Sequence, residues 1–204
     1  MTERDEKILT LIARHKYMTA TQVMKGIGIN CLRICQRRLK VLTDAGFLAH
    51  YVPYNYPHGQ AEYIHYLTAE GYRAIGGHYS PRRGTNPSYL SHYLSLNDWV
   101  LSQRYDNVEI EPSVEGYRPD AYAIKAMLGV RKHYYIELDR GTESEKQIAK
   151  KVAAYEGIYR KARFMPYVLF VCPDARRIDT LKRWVERNRK TKEIIYIYEL
   201  HQNL

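Results

Sequence analysis

The sequence predicts an α+β chain in two parts: a helical N-terminal third closed by a β-hairpin, then a small α/β domain built on a mixed sheet. Three observations predict it. Helical spacing of apolar residues runs through residues 8–42, broken by Gly26 and Gly28 and stopped by Gly46. Two extended runs flank the turn-rich stretch 55–60. From residue 89 onward helical and extended segments alternate, the pattern of a sheet with crossover helices. A chain of 204 residues has room for one large domain or two small ones. The expected divisions are a first domain over 1–77, a basic linker over 78–88 and a second domain over 89–204.

The first helix is expected at Glu3–His15, where Ile8, Leu11 and Ile12 share a face. Thr19 or Ala20 opens a second helix, through Val23 and Met24, that stops at Gly26 and Gly28. Asn30 is the expected cap of a third helix over residues 31–45, closed by Gly46. Its inner face takes Cys31, Ile34 or Cys35, Leu39 and Leu42. Its outer face takes Arg33, Gln36, Arg37 and Lys40, at i, i+3, i+4 and i+7. Extended runs at 47–54 and 61–67, joined by the turn, read as a hairpin. Thr68 opens a further short helix that ends at Gly76 and Gly77.

Three helices, a hairpin and a helix is the order of a winged helix-turn-helix. The step from Thr43 through Gly46 and Phe47 to Leu48 resembles the helix-to-wing step of winged-helix regulators. Leu67-Thr68-Ala69-Glu70-Gly71 resembles the L-T-x-x-G that follows the wing there. An outward face of Arg, Gln, Arg and Lys suits a major groove, where Arg bonds guanine O6/N7 and Gln bonds adenine N6/N7. His50, Tyr54, His58 and Gln60 fall on the expected wing, within reach of DNA backbone or minor groove. Arg82 and Arg83 of the linker suit phosphate. The competing reading is a solvated basic face on a protein-binding winged helix.

Residues 89–104, capped by Ser88, form an amphipathic helix with Leu90, Leu94, Leu101 and Trp99 or Val100 inward. Strands follow at 108–112, 119–124 and 133–138, then a helix at 143–161. Thr142 with Glu145 three residues on fits a capping box for that helix. A fully apolar strand at 167–172, a helix at 175–189 and a strand at 194–198 close the chain. Pro119-Asp120 sits on the second of these strands, and Glu137-Leu138-Asp139 ends the third.

This order, with carboxylates at those places, looks like the core of a PD-(D/E)xK nuclease. Such chemistry needs two carboxylates to hold Mg²⁺ and a lysine to orient or activate the attacking water. The resemblance implies Asp120 and Glu137 as metal ligands. The usual lysine, two residues after Glu137, is Asp139 here. Asp139 joining the metal shell, or Lys146, Lys150 or Lys151 reaching from the following helix, would restore the catalytic set. The other reading is an inactive fold in which Asp120, Glu137 and Asp139 bond Arg140, Thr142 and Lys151.

Lys and Arg number 32 against 22 Asp and Glu, a formal charge of +10 with a pI near 9.4. A chain this basic points to a polyanion, and nucleic acid first. The 20 tyrosines suit both base stacking and half-buried packing. Cys31, Cys35 and Cys172 are too few for a disulfide framework, and no spacing completes a zinc site, so a reducing, cytoplasmic setting is expected. The N-terminus is charged and reads as no signal peptide. No apolar run approaches the ~18 residues of a membrane span, so no membrane partner is expected.

Several motifs recur in one order: Ser91-His92 with Asn97-Asp98, then Arg118-Pro119-Asp120-Ala121, then the run from Ile136 to Glu143, then Lys151 and Tyr155. This sequence of motifs resembles the replication-relaxation family of plasmids, integrative elements and phages. Glu137, Asp139, Gly141, Thr142, Glu143, Lys151 and Tyr155 carry its E-x-D-x-G-T-E … K-x-x-x-Y pattern. The resemblance implies a DNA-binding protein acting in mobile-element replication, transfer or gene control. It does not by itself imply a proven catalytic activity, and the one cofactor in view is the Mg²⁺ of the nuclease reading.

The expectation is therefore a sequence-specific double-stranded DNA-binding protein. A homodimer is expected, because one winged helix covers few base pairs. The alternatives are a Mg²⁺-dependent endonuclease using Asp120, Glu137, Asp139 and Lys151, and an adaptor that recruits a replication or transfer protein.

Overall fold

The computed structural model describes residues 1–52, 62–77, 87–162 and 166–201. They form two compact units, Met1–Gln103 and Arg104–Leu204.

The first unit runs α1 (Glu3–His15), β1 (Met18–Thr19), α2 (Ala20–Ile27), α3 (Leu32–Asp44), β2 (Leu48–Tyr51), β3 (Ile64–Leu67), α4 (Ala69–Ala74) and α5 (Pro87–Gln103). The strands form an antiparallel sheet in the order β1-β3-β2. Three helices with this small sheet make the winged helix-turn-helix. Local chemistry sets the helix starts. Thr2 and Asp5 form a capping box on α1, Thr19 and Gln22 form one on α2, and Thr68 accepts from the Gly71 amide on α4. Ile8, Leu9, Ile12, Val23, Cys35, Leu39, Leu42, Leu48 and Leu67 pack into a single core, each 2% exposed or less.

Two sequence expectations shift here. The N-cap of α3 is Cys31 and not Asn30, and Cys31 makes no side-chain cap bond. The amides of Gly28 and Ile29 both return to the Met24 carbonyl to close α2, so the extended residue before α3 falls one place later. Cys31 and Ile34 are consequently exposed, and the inner face is Cys35, Leu39 and Leu42.

Helix α5 belongs to the first unit, although its sequence reads as the opening of the second. Buried Asn97 explains this. Its Oδ1 accepts from His15 Nδ1 at 2.8 Å, and its Nδ2 donates to the Tyr17 carbonyl at 2.7 Å. Gln22 donates to the Leu94 carbonyl at 2.9 Å, and Leu101 packs against the first core. A buried amide with every partner in α1 and the α1–β1 turn fixes the helix to that unit.

The second unit runs β4 (Asn107–Ile110), β5 (Ala121–Met127), β6 (Val130–Leu138), α6 (Glu145–Ala162), β7 (Tyr167–Cys172), α7 (Ala175–Asn188) and β8 (Tyr196–Leu200). The sheet order is β4-β5-β6-β7-β8. The first three strands are antiparallel, and β6, β7 and β8 are parallel through the crossovers α6 and α7. This is the expected mixed-sheet, nuclease-like domain. Ile148, Val152 and Tyr155 of α6, Leu181 and Val185 of α7, and Val168, Phe170 and Cys172 of β7 fill its core.

Helix α6 starts two residues later than the sequence suggests. The capping box of Thr142 and Glu145 is replaced by Ser144, whose amide donates to Gln147 Oε1 at 2.7 Å. The stretch before it is bent by Gly141 at φ +82, whose amide donates to Asp139 Oδ1 at 2.7 Å. Among the described residues no helix is long and apolar enough to cross a membrane.

Candidate nucleic-acid interface and the buried carboxylate cluster

Burial of Cys35, Leu39 and Leu42 turns the opposite face of α3 outward. Arg33, Gln36, Arg37 and Lys40 are all exposed there. Lys40 shares its charge with Asp44 one turn on, at 2.8 Å, an exposed pair that contributes little to stability. Ile34 and Val41 are also outward, 42% and 45% exposed, and both lie beside Arg37 on the helix surface. Arg38 does a different job. Its guanidinium forks onto buried Asp5 of α1 and holds that carboxyl well below the usual carboxylate range. The fork sets the angle of α3 on the core.

A cleft of about 1140 Å³ lies between α3 and the wing strands, lined by Arg33, Gln36, Arg37 and Lys40 on one side and by His50, Tyr63 and His65 on the other. His50 meets the Tyr63 ring edge-on at 4.4 Å and the His65 ring at 5.9 Å. His65 is 6% exposed, and among the described residues its Nδ1 has no hydrogen-bond partner. Burial, and then the neighbouring His50, push its imidazole down to about 4. The structure thus brings His50 to the same cleft as the four α3 residues. Tyr54, His58, Gln60, Arg82 and Arg83 lie outside the described residues.

In the second unit the end of β6 delivers Glu137 and Asp139 side by side with the start of β5. Glu137 is buried and surrounded by donors. Tyr117 donates to its Oε1 at 2.7 Å, Tyr155 donates to the same oxygen, and Lys151 Nζ lies 2.8 Å from Oε2. Lys151 also meets Glu143 at 2.7 Å. Asp120 Oδ2 accepts the Leu138 amide at 2.7 Å, which ties β5 to the end of β6. Asp139 is fully buried. Its Oδ2 takes the Arg177 guanidinium at 2.6 and 2.7 Å, and Arg177 continues to the Glu143 carbonyl at 2.6 Å.

The electrostatics follow from that packing. Burial pushes the Glu137 carboxyl up, Lys151 draws it down and Asp120 adds to the rise. Burial works against the Lys151 ammonium, yet Glu137, Asp120 and Glu143 together hold it charged, well above its ordinary range. Burial and the Glu137 carboxylate push the Tyr117 and Tyr155 phenols up, so both remain donors.

Lys151 therefore reaches Glu137 across more than a turn of α6, as one sequence reading required. Lys146 and Lys150 are exposed. Two residues of the cluster escaped sequence reasoning. Tyr117 sits in an irregular turn bridged to Val114, and Arg177 comes from the first turn of α7. Neither has a spacing signal, since Arg177 lies 38 residues from its carboxylate. Glu143 was visible only as part of the family pattern.

The set fits Mg²⁺ poorly. The ion demands a near-octahedral shell of free oxygens. Both oxygens of Glu137 and both of Asp139 already accept bonds from protein donors, as does Asp120 Oδ2. Among the described residues no three His, Cys, Asp or Glu side chains form a group able to hold a metal ion.

Among curated proteins nothing matches the chain at a significant level. Among solved structures, PadR of Bacillus subtilis in complex with operator DNA is similar at 15% identity and a TM-score of 0.34, over 92% of this chain and 90% of that one. That likeness is too remote to carry function. The sequence itself places the chain more firmly. The replication-relaxation family model matches residues 9–171, and the chain belongs to that family.

Proposed function

We propose that the chain is a sequence-specific double-stranded DNA-binding protein of a mobile element, acting in replication, transfer or transcriptional control. One observation carries the reading: α3 turns Arg33, Gln36, Arg37 and Lys40 to solvent together, on a helix anchored by the Arg38–Asp5 fork. Arg and Gln are the side chains that read guanine and adenine in a major groove, and a winged helix presents its third helix there. The formal charge of +10 supplies phosphate attraction. A homodimer on a two-fold symmetric site gives such a domain enough base pairs for specificity.

The internal pairing of Glu137 with Lys151 and of Asp139 with Arg177 favours a binding role for the second unit over a cleaving one. The test is selection of bound duplexes from a random pool, with cut products sequenced alongside in Mg²⁺ and Mn²⁺. A defined consensus and intact DNA are expected. A pool without consensus overturns sequence-specific binding. Metal-dependent cut ends overturn the non-catalytic reading. Binding that persists unchanged to high salt points to the adaptor role, because phosphate contact weakens steeply with salt.

A further inference from the structure

The hairpin joining β5 and β6 breaks three local rules at one place. Its two-residue turn, Leu128-Gly129, has φ of +50 and +79, the geometry in which Asn-Gly or Asp-Gly is the default. A leucine there is strained, and this one is fully exposed at 101%. Met127 and Val130, paired across the turn, are 47% and 60% exposed. Behind them Lys125 stands directly opposite Lys132, a like-charge pair that works against the sheet. Departures from local preference that gather at one site mark function more often than accident.

The chemistry of the tip is apolar in front and cationic behind. Lys125 lies over the Tyr105 ring at 5.6 Å and Lys132 over the Tyr167 ring at 5.8 Å. The two rings fix the ammonium groups in place. Arg131 is exposed on the other face of the ribbon. From residue 121 to residue 133 the ribbon carries no Asp or Glu. The nearest carboxylate, Asp106, lies alongside the ribbon two residues short of the turn and is committed to the Ala126 amide.

We propose that this hairpin is a β-ribbon arm for the minor groove of double-stranded DNA. Leu128 acts as a wedge at a base step, and Lys125, Lys132 and Arg131 meet the flanking phosphates. The proposal rests on the DNA-binding reading and adds a second contact to it. The dimensions agree. Three residue steps separate each lysine from the turn, Lys125 from Leu128 and Lys132 from Gly129, a rise of about 10 Å. The minor groove is about 7.5 Å deep, so a tip at its floor holds the lysine backbones just outside the groove, within side-chain reach of the flanking phosphates. Apolar wedges of this kind unstack a step and bend the duplex.

The test uses the full chain on a selected duplex carrying donor and acceptor dyes at its ends. Leu128→Asn suits the left-handed turn, so its thermal midpoint should equal or exceed that of the wild type. Its affinity should fall about tenfold, and the bend, about 20–90° for wedge proteins, should collapse. The double variant Lys125→Gln, Lys132→Gln should lower the slope of log affinity against log salt by about 2. Unchanged affinity and bend in Leu128→Asn, with specific binding lost in Arg37→Ala, overturns the wedge and leaves the major-groove reading intact. A wild-type chain that binds no duplex overturns both. Two further outcomes also overturn the wedge. One is loss of a dimer in Leu128→Asn by sedimentation. The other is Leu128-dependent binding to vesicles of phosphatidylglycerol and phosphatidylcholine that exceeds binding to DNA.

Discussion

Lys151 of α6 places its ammonium 2.8 Å from Glu137 Oε2, so a helix supplies the cationic side chain that the strand, with Asp139, does not. The pair is buried, with side chains 16% and 1% exposed. Removing one partner of such a pair costs about 3–5 kcal/mol, because the other is left buried and charged. Lys151→Met should therefore destabilise the chain by that amount near pH 7. The pH dependence has a definite sign. Without Lys151 the Glu137 carboxyl, already pushed up by burial, rises further. A carboxyl raised in the folded state adds stability below its unfolded value and loses it as pH rises through the folded value. The deficit of Lys151→Met against wild type should therefore shrink near pH 4.5 and widen at pH 7. Urea unfolding of both proteins at the two pH values checks this, and an equal deficit at both would remove the buried-pair account.

The same cluster shows how far the sequence is legible. Among the described residues, strand ends, apolar periods and caps predicted every helix and all but one strand, because those signals are local. β1 escaped because it is only Met18 and Thr19, held by pairing with His65 and Ile64 far along the chain. The carboxylates Asp120, Glu137 and Asp139 were visible as a pattern, but their partners were not. Asp139 takes Arg177 from a helix that a crossover brings back, and Glu137 takes Tyr117 from an irregular turn. Long-range partners leave no spacing in the sequence. Asn97 is the instructive middle case. Its motif was legible and its role was not, since its bonds to His15 and Tyr17, which help assign α5 to the first unit, span some 80 residues.

Exposed Ile34 and Val41 make the proposed DNA site more specific. They are seven residues apart on α3, about 10.5 Å along the axis, or about three base-pair steps. Arg37 lies between them. Apolar side chains on a reading helix contact the thymine methyl group. Thymine is therefore expected at one or both positions flanking the base read by Arg37. Replacing that thymine by deoxyuridine removes the methyl alone. Wild-type affinity should fall severalfold, Ile34→Ala should fall similarly on thymine, and the two losses should not add. Arg37→Ala should lose about 1–3 kcal/mol of specific binding. Additive losses from deoxyuridine and Ile34→Ala would place Ile34 away from the base edge.

His65 predicts acid lability of the winged helix. Burial holds its imidazole at about 4 in the fold, below the ordinary 6.5. The unfolded chain thus binds the proton first, and stability is lost as pH falls from 6.5 towards 4. The full loss is on the order of 3 kcal/mol. Buried His15, also pushed down by burial, acts in the same direction. His65→Phe should flatten the dependence of the urea midpoint on pH between 7 and 5. A variant with the wild-type slope would assign the lability to other groups.

Gly71 explains why the L-T-x-x-G step ends in glycine. Its helical backbone needs no left-handed turn, so the requirement is space. A Cβ at Gly71 would stand 2.1 Å from the Phe47 carbonyl oxygen and 3.1 Å from Leu67 Cγ. That carbonyl cannot retreat, because it accepts the Thr68 amide and the Thr68 hydroxyl, both at 3.1 Å. Thr68 in turn caps α4 through the Gly71 amide. One methyl group thus meets the backbone hinge that joins wing strand, cap and helix. Overpacking of this kind costs about 1–3 kcal/mol. In a unit of this size each 1 kcal/mol lowers the thermal midpoint by about 4–8 °C. Gly71→Ala should show at least the smaller fall by near-ultraviolet circular dichroism. Gly28→Ala is the control of opposite kind, since its Cβ meets nothing within 4 Å and its cost is the φ of +71 alone. If Gly71→Ala melts with the wild type, the close approach to Phe47 is not what selects glycine there.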